Sequence, residues 1–269
     1  MNDLPHGLWE HLHPEERPLA RRFADLAGRA RNRGEWTLTP FLDPGERSVA
    51  ELVARSLGAG VRFYGGHPAA ERMRGLFVPP EALTWVADDP ETFDLGLVDI
   101  RWSPAFGAPG HRDLLGAVLG LGFARERIGD IRLGEGRAEI VTTAELVPAI
   151  ANGLERAGRI GVRARPGDWQ DRLPAAPPER EVRTISVASL RLDAVLAGAL
   201  RLSREKARRL VESGAVRVNH RPERAPDRPL RAGDLLSVRG FGRVEVVERL
   251  GANRSGRERL VVARLGVRR

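Results

Sequence analysis

The chain has 269 residues with 44 Lys+Arg, 36 Asp+Glu and no cysteine, for a formal net charge of +8. The lack of cysteine excludes a disulfide scaffold, thiol chemistry and the thiolate ligands of structural zinc. The charge is unevenly held: residues 180–269 carry 22 Lys+Arg against 10 Asp+Glu, a net of +12, while the other 179 residues carry 22 against 26, a net of −4. A basic module beside a mildly acidic body points to a polyanionic partner. Nearly all the cations are Arg, and Lys206 is the sole Lys. The N-terminus shows no basic stretch followed by an apolar run, and no segment approaches the roughly 20 apolar residues of a membrane helix. A cytoplasmic protein without a membrane segment is expected.

The first region, 1–88, reads as mostly helical. Leu19, Phe23, Leu26 and Ala30 recur at helical spacing. Residues 41–46 read as a turn, in which Asp43 caps the next helix, with Pro44 in its first turn and Glu46 three residues on. Val49, Leu52, Val53 and Leu57 form the apolar stripe of that helix. Residues 61–64 form a short strand ending at Gly65 and Gly66.

The second region, 89–168, alternates more clearly. Strands are expected at 93–102, 128–133, 137–142 and 159–164, with helices at 111–120 and 144–157. The order β-α-β-β-α-β is the ferredoxin-like plan shared with RNA-recognition domains. Those domains stack bases on aromatics of their central strands, and the corresponding strands here carry none. A Pro-rich linker, 169–183, leads into the last region, 184–269. There a helix at 190–200 is followed by Ser203, a good N-cap, and a second helix at 204–212 closed by Gly214. A strand at 216–219, a turn and strand over 230–239, and strands at 244–247 and 260–265 complete a small sheet. The class is α+β, in three regions.

The chemistry concentrates in the last region. Arg201, Arg204 and Arg208 have the spacing of one helix face, with Lys206 and Arg209 beside it. The helix N-terminus also favours a phosphate. Arg217, Asn219 and Arg221 follow, and Arg239, Phe241 and Arg243 place two cations around an aromatic between glycines, where a base could stack. Arg191 opens the module. His111, Arg112 and Asp113 imitate a kinase catalytic loop, but Val118 stands where its Asn belongs and no ATP-binding glycine loop precedes it. Gly120, Gly122, Gly134 and Gly136 do not sit between a strand and a helix as a dinucleotide fingerprint would. Arg191-Leu-Asp193 matches the tripeptide of pseudouridine synthases, yet it runs straight into a helix, so Asp193 reads as a helix-start residue. No cofactor, metal or catalytic residue is expected.

Ser189 to Asp193, Ser203-Arg204 with Lys206, Gly214 to Asn219 and Gly233 to Gly240 together resemble the S4 RNA-binding domain. The chain as a whole is similar to the bacterial YlmH proteins. That likeness rests on Phe41-Leu-Asp-Pro44, Gly65-Gly66 with Ala70-Glu-Arg72, His111 to Ala117, Arg127 to Ile131 and Arg239 to Arg243. The resemblance implies a non-enzymatic RNA-binding protein, and a monomer is expected. Its expected partners are rRNA of the large ribosomal subunit, peptidyl-tRNA on stalled subunits and other factors of ribosome-associated quality control. The resemblance extends residue by residue to Arg201, Ser203, Arg204, Lys206 and Arg239; Arg208 and Arg209 are added by helix geometry. The alternatives are an RNA-modifying enzyme docked by the basic module and a ribosome assembly factor.

Overall fold

A computed structural model describes residues 8, 9, 12–174 and 180–265. They fall into two compact units, 1–175 and 176–269. The centre of the Pro-rich stretch, 175–179, lies outside the described residues.

In the first unit, α1 (Arg17–Arg33) buries Ala20, Phe23, Ala24, Ala27 and Ala30 on one face. α2 (Pro44–Leu57) starts as its sequence dictates: Asp43 accepts from the Glu46 amide at 2.9 Å, and Glu46 returns the bond to the Asp43 amide at 2.7 Å. This reciprocal box satisfies two orphan donors of the first turn. The region is less helical than its sequence suggests. Besides β2 (Gly60–Tyr64) it contains β1 (Thr37–Leu42) and β3 (Met73–Val78), in the antiparallel order β1-β3-β2. β1 covers part of the segment read as a turn. Pro40 interrupts its alternation, and the register of β1 on β3 shifts between Leu38 and Phe41.

The second region has the ferredoxin-like plan. β4 (Leu95–Arg101), α3 (His111–Gly120), β5 (Ile128–Leu133), β6 (Arg137–Thr143) and α4 (Val147–Gly153) follow in order. A two-residue pair, β7 (Arg156–Ala157) and β8 (Ile160–Gly161), precedes β9 (Arg163–Pro166). The sheet order is β5-β6-β4-β9, all antiparallel. α4 stops at Gly153, short of the expected 157, because the chain turns there into the β7–β8 pair. Asp113 only closes the start of α3, accepting from the Gly110 amide at 2.8 Å.

Both faces of this sheet are covered. On one, Val98, Ile100, Ile128 and Ile140 pack with Leu114, Val118 and Ile150. On the other, Leu95, Leu97 and Val141 pack against Phe41, Leu76 and Val78 of the first sheet, with Phe93 and Trp169. The first sheet in turn offers Leu42 and Phe77 to α1 and α2. The layers are therefore helices, sheet, sheet, helices. Phe41 is the hinge pin of this contact, and Gly129 gives it room: a Cβ there would stand 2.6 Å from Phe41 Cε1.

Beyond the apolar contact, the same face of the second sheet carries a closed ionic network. Asp99 and Glu139, each 1% exposed, meet Arg137, whose Nη2 lies 3.1 Å from Glu139 Oε1. Arg101 and Arg165 reach Asp99 Oδ2 at 3.0 and 2.8 Å, and the Leu173 amide donates to Glu139 at 2.6 Å. Burial pushes the Asp99 carboxyl up, but hydrogen bonds from Arg101, Arg165 and Arg137 prevail and hold it below its ordinary value.

The YlmH-like landmarks meet at a second joint. Asp130 accepts from the Glu71 and Arg72 amides at 2.7 and 3.0 Å, and His67 Nε2 lies 3.3 Å from its Oδ2. Arg72 donates to the carbonyls of Phe41 and Ile128 at 2.7 and 3.1 Å. These landmark residues thus bind one another.

In the second unit, β10 (Arg180–Val187), α5 (Leu192–Leu200), α6 (Arg204–Glu212), β11 (Val216–Val218), β12 (Arg221–Glu223), β13 (Leu235–Val238), β14 (Gly242–Ala252) and β15 (Glu258–Leu265) follow in order. They build a six-stranded antiparallel sheet, β10-β15-β14-β13-β11-β12, with α5 buried against it. Residues 180–183, assigned to the Pro-rich linker, are the first half of β10. Its register on β15 is unbroken from Arg180↔Leu265 to Val187↔Glu258. β12 escapes notice in the sequence because Pro222 stands at its centre.

Gly129→Val is expected to lower unfolding stability by about 1–3 kcal/mol, since neither backbone nor Phe41 can yield easily; urea denaturation reads it. Asp99, depressed when folded, adds stability that is complete above its ordinary value of 3.8 and is lost as pH falls through the folded value. Asp99→Asn should flatten the acid limb of the stability profile below about pH 4, as followed by circular dichroism.

Candidate nucleic-acid interface

Ser203 caps α6, its hydroxyl accepting from the Lys206 amide at 3.2 Å. Ala207 and Val211 anchor the helix in the core, and the remaining side chains of its basic run face solvent. Arg201 does not lie on α6. It ends α5 in the left-handed conformation, φ 54°, before the chain turns at Leu202 into the cap.

The basic run is partly self-neutralised. Arg208 reaches Glu212 at 2.7 Å and Arg209 pairs with Glu205, both one turn away. Such exposed pairs are weak, so a phosphate can compete for the cation. Arg204 is held more firmly. Its Nη2 lies 3.0 Å from Oδ1 of Asp193, a residue 4% exposed, and Arg191 Nε reaches the same oxygen at 3.3 Å. Burial raises the Asp193 carboxyl, while hydrogen bonds from Arg204 and Arg191 outweigh it and hold the group below its ordinary value. Asp193 is therefore a buried counter-ion fixing two guanidinium groups at the start of the module, and it offers no free carboxylate to a substrate.

Lys206 sits 5.7 Å from the centre of the Phe241 ring. Phe241 is half-buried and packs on the core, so it serves as a platform for the cation. Gly240 and Gly242, at φ 84° and 90°, make the tight turn that lifts Phe241 between Arg239 and Arg243. The Arg239 amide donates to the Ala215 carbonyl at 2.9 Å, tying the hairpin to the loop after α6. Helix α6 thus carries two contacts side by side, Arg204 with Arg191 on Asp193 and Lys206 on Phe241 of the 239–243 turn. Arg217 is exposed on β11, and Arg243, next to the first residue of β14, is half-buried.

Asn219, expected among the amide donors, is used internally. At φ 50° its Nδ2 donates to Asp234 and its Oδ1 accepts from the Leu235 amide, both at 2.8 Å. A left-handed position after a short strand favours Asn for this local bonding. The Asp193–Arg204 pair spans 11 residues, and no local spacing in the sequence reveals it.

Asp193→Ala is expected to lower stability by about 1–3 kcal/mol by leaving two guanidinium groups without their shared acceptor. Thermal unfolding of the full chain measures this.

Residues 89–171 match the family described as the putative RNA-binding domain in YlmH, and residues 190–236 match the S4 domain. The chain is 31% identical over 258 residues to the ribosome-associated protein quality control protein P2 of Bacillus subtilis (strain 168), an alignment covering 96% of this chain and 98% of that protein. Among solved structures it is similar to the cell division protein ylmH from Streptococcus pneumoniae, with 25% identity and a TM-score of 0.50, over 61% of this chain and 97% of the other. Full-length identity, both matched domains and the landmarks gathered at the Phe41–Asp130 joint agree, and the chain belongs to the YlmH family.

Proposed function

We propose that this protein binds RNA on the large ribosomal subunit and steadies peptidyl-tRNA on stalled subunits during ribosome-associated quality control, without catalysis of its own. The observation that carries the proposal is the basic assembly of the S4 domain. Arg191, Arg204 and Lys206 are held in place by Asp193 and Phe241 and adjoin the 239–243 turn. Fixed cations lose little freedom on meeting a phosphate, and guanidinium forks suit phosphate oxygens. The excess charge of residues 180–269 adds sequence-independent attraction.

The relative named for ribosome-associated quality control supplies the ribosomal context. The non-enzymatic reading is supported by Asp193, whose oxygens are engaged by two arginines. The protein acts in the cytoplasm as a monomer, where its rRNA and tRNA partners are found. The apolar packing on both faces of the second sheet supports a grip centred on the S4 domain over base stacking on sheet aromatics.

Tagged protein is expected to sediment with large subunits that carry peptidyl-tRNA, at low and moderate salt. Sedimentation with small subunits or with free RNA alone would replace this reading with an assembly or modification role. Arg204→Glu is a poor probe, because it sets a second carboxylate against Asp193. Lys206→Gln with Arg239→Gln is the better one: two lost phosphate contacts at about 1 kcal/mol each weaken RNA binding roughly 30-fold while the fold is kept.

A further inference from the structure

Among the arginines of the second unit outside the basic assembly just described are Arg183 on β10, Arg264 on β15 and Arg201 at the end of α5. Strand side chains alternate between faces. In the β10–β15 register, Arg183 faces Val262 and Glu181 faces Arg264, so Arg183 and Arg264 are diagonal neighbours on one face. Ile185, Val187, Leu260 and Val262 continue that face as buried core. α5 lies directly on it: a Cβ at Gly198 would stand 3.0 Å from Val187 Cγ1 and 3.3 Å from Ile185 Cδ1. Three residues further on, the helix ends at Arg201. Where the apolar cover stops, the same face continues in arginine.

Among the described residues no carboxylate forms an ion pair with these three guanidinium groups, although Glu181 shares their face. Nε and Nη2 of Arg183 and Nε of Arg264 are buried without a hydrogen-bond acceptor. Glu181 attracts Arg183 only at longer range. Burial, and next the positive charge of Arg201, push the Arg183 guanidinium below its ordinary value. Elsewhere in the unit, Arg180, Arg191, Arg204, Arg208, Arg228 and Arg249 each meet a carboxylate. Gathered like charges with buried, unanswered donors destabilise a free protein, and an anion removes both costs at once.

We propose that Arg183, Arg201 and Arg264 form a second phosphate seat for the RNA backbone, in which two strands outside the S4 match at 190–236 supply Arg183 and Arg264. The inference rests on the RNA-binding reading above. The occupant is a phosphodiester of RNA because Arg201 belongs to the turn that leads through Ser203 into α6, so one backbone lying along α6 continues onto the seat. Guanidinium forks match its paired oxygens.

The test measures binding of the full chain to a tRNA transcript over a series of salt concentrations. It compares wild type, Arg183→Gln with Arg264→Gln, and Lys206→Gln with Arg239→Gln. The Arg183/Arg264 pair is expected to weaken binding about tenfold and to make the plot of log affinity against log salt shallower by roughly 1–2. Arg183→Lys with Arg264→Lys, which keeps the charge, should keep the slope. Without RNA, the Gln pair should melt at the wild-type temperature or above it, because repulsion is relieved; a purely structural role would lower the melting temperature. Wild-type affinity and slope in the Gln pair, with binding still impaired by Lys206→Gln and Arg239→Gln, would overturn the seat and leave the proposed function standing. If neither pair changes binding, the RNA-binding reading fails as well. Should the double Gln variant not fold, Arg264→Gln alone decides by the same slope.

Discussion

A sheet with two apolar faces must be covered twice, and much of the first unit follows from that constraint. β4 and β6 alternate so that Val98, Ile100 and Ile140 point to one side while Leu95, Leu97 and Val141 point to the other. α3 and α4 cover the first side. The second would open to water if the first sheet did not close it through Phe41, Leu76 and Val78. Phe41 alone, 1% exposed, withdraws enough apolar surface to be worth about 1.5–3 kcal/mol. The Asp130 joint, with Arg72 bonded to the Phe41 carbonyl, fixes the angle of that closure.

This closure separates the unit from the RNA-recognition domains whose chain order it shares. The face that would receive bases holds Phe41 at one end and the Asp99–Arg137–Glu139 network at the other. The lack of aromatics on β4 and β6 and the presence of a covering sheet are one fact seen twice. Side chains there pack or pair with the covering layer.

Much of this was legible in the chain. The Asp43–Glu46 box, the Ser203 cap and the strand order of residues 89–168 depend on neighbours within a few positions, and they stand where the residues place them. What escaped depends on distant partners. β1 and β3 are strands because they pair with each other across about 35 residues and cover a second sheet; their own alternation is broken by Pro40 and Gly75. β10 is hidden behind prolines and charge, and its partner lies at the far end of the chain. The basic grip shows the same division. Arg208 and Arg209 stand on α6 as helix spacing requires, yet charge counting overstates their freedom, since Glu212 and Glu205 hold them. Asn219 looked like a donor for RNA, and a left-handed turn took its amide.

The seating of Lys206 on Phe241 has a chemical consequence of its own. It is the sole lysine of the chain, so its ε-amine is the single side-chain amine open to an acylating agent. Acylation there would remove one cation from the centre of the module and leave every guanidinium untouched. The interface therefore carries one chemically addressable charge among many that ordinary amine chemistry cannot reach, and shielding of that amine would report occupancy of α6 without any substitution.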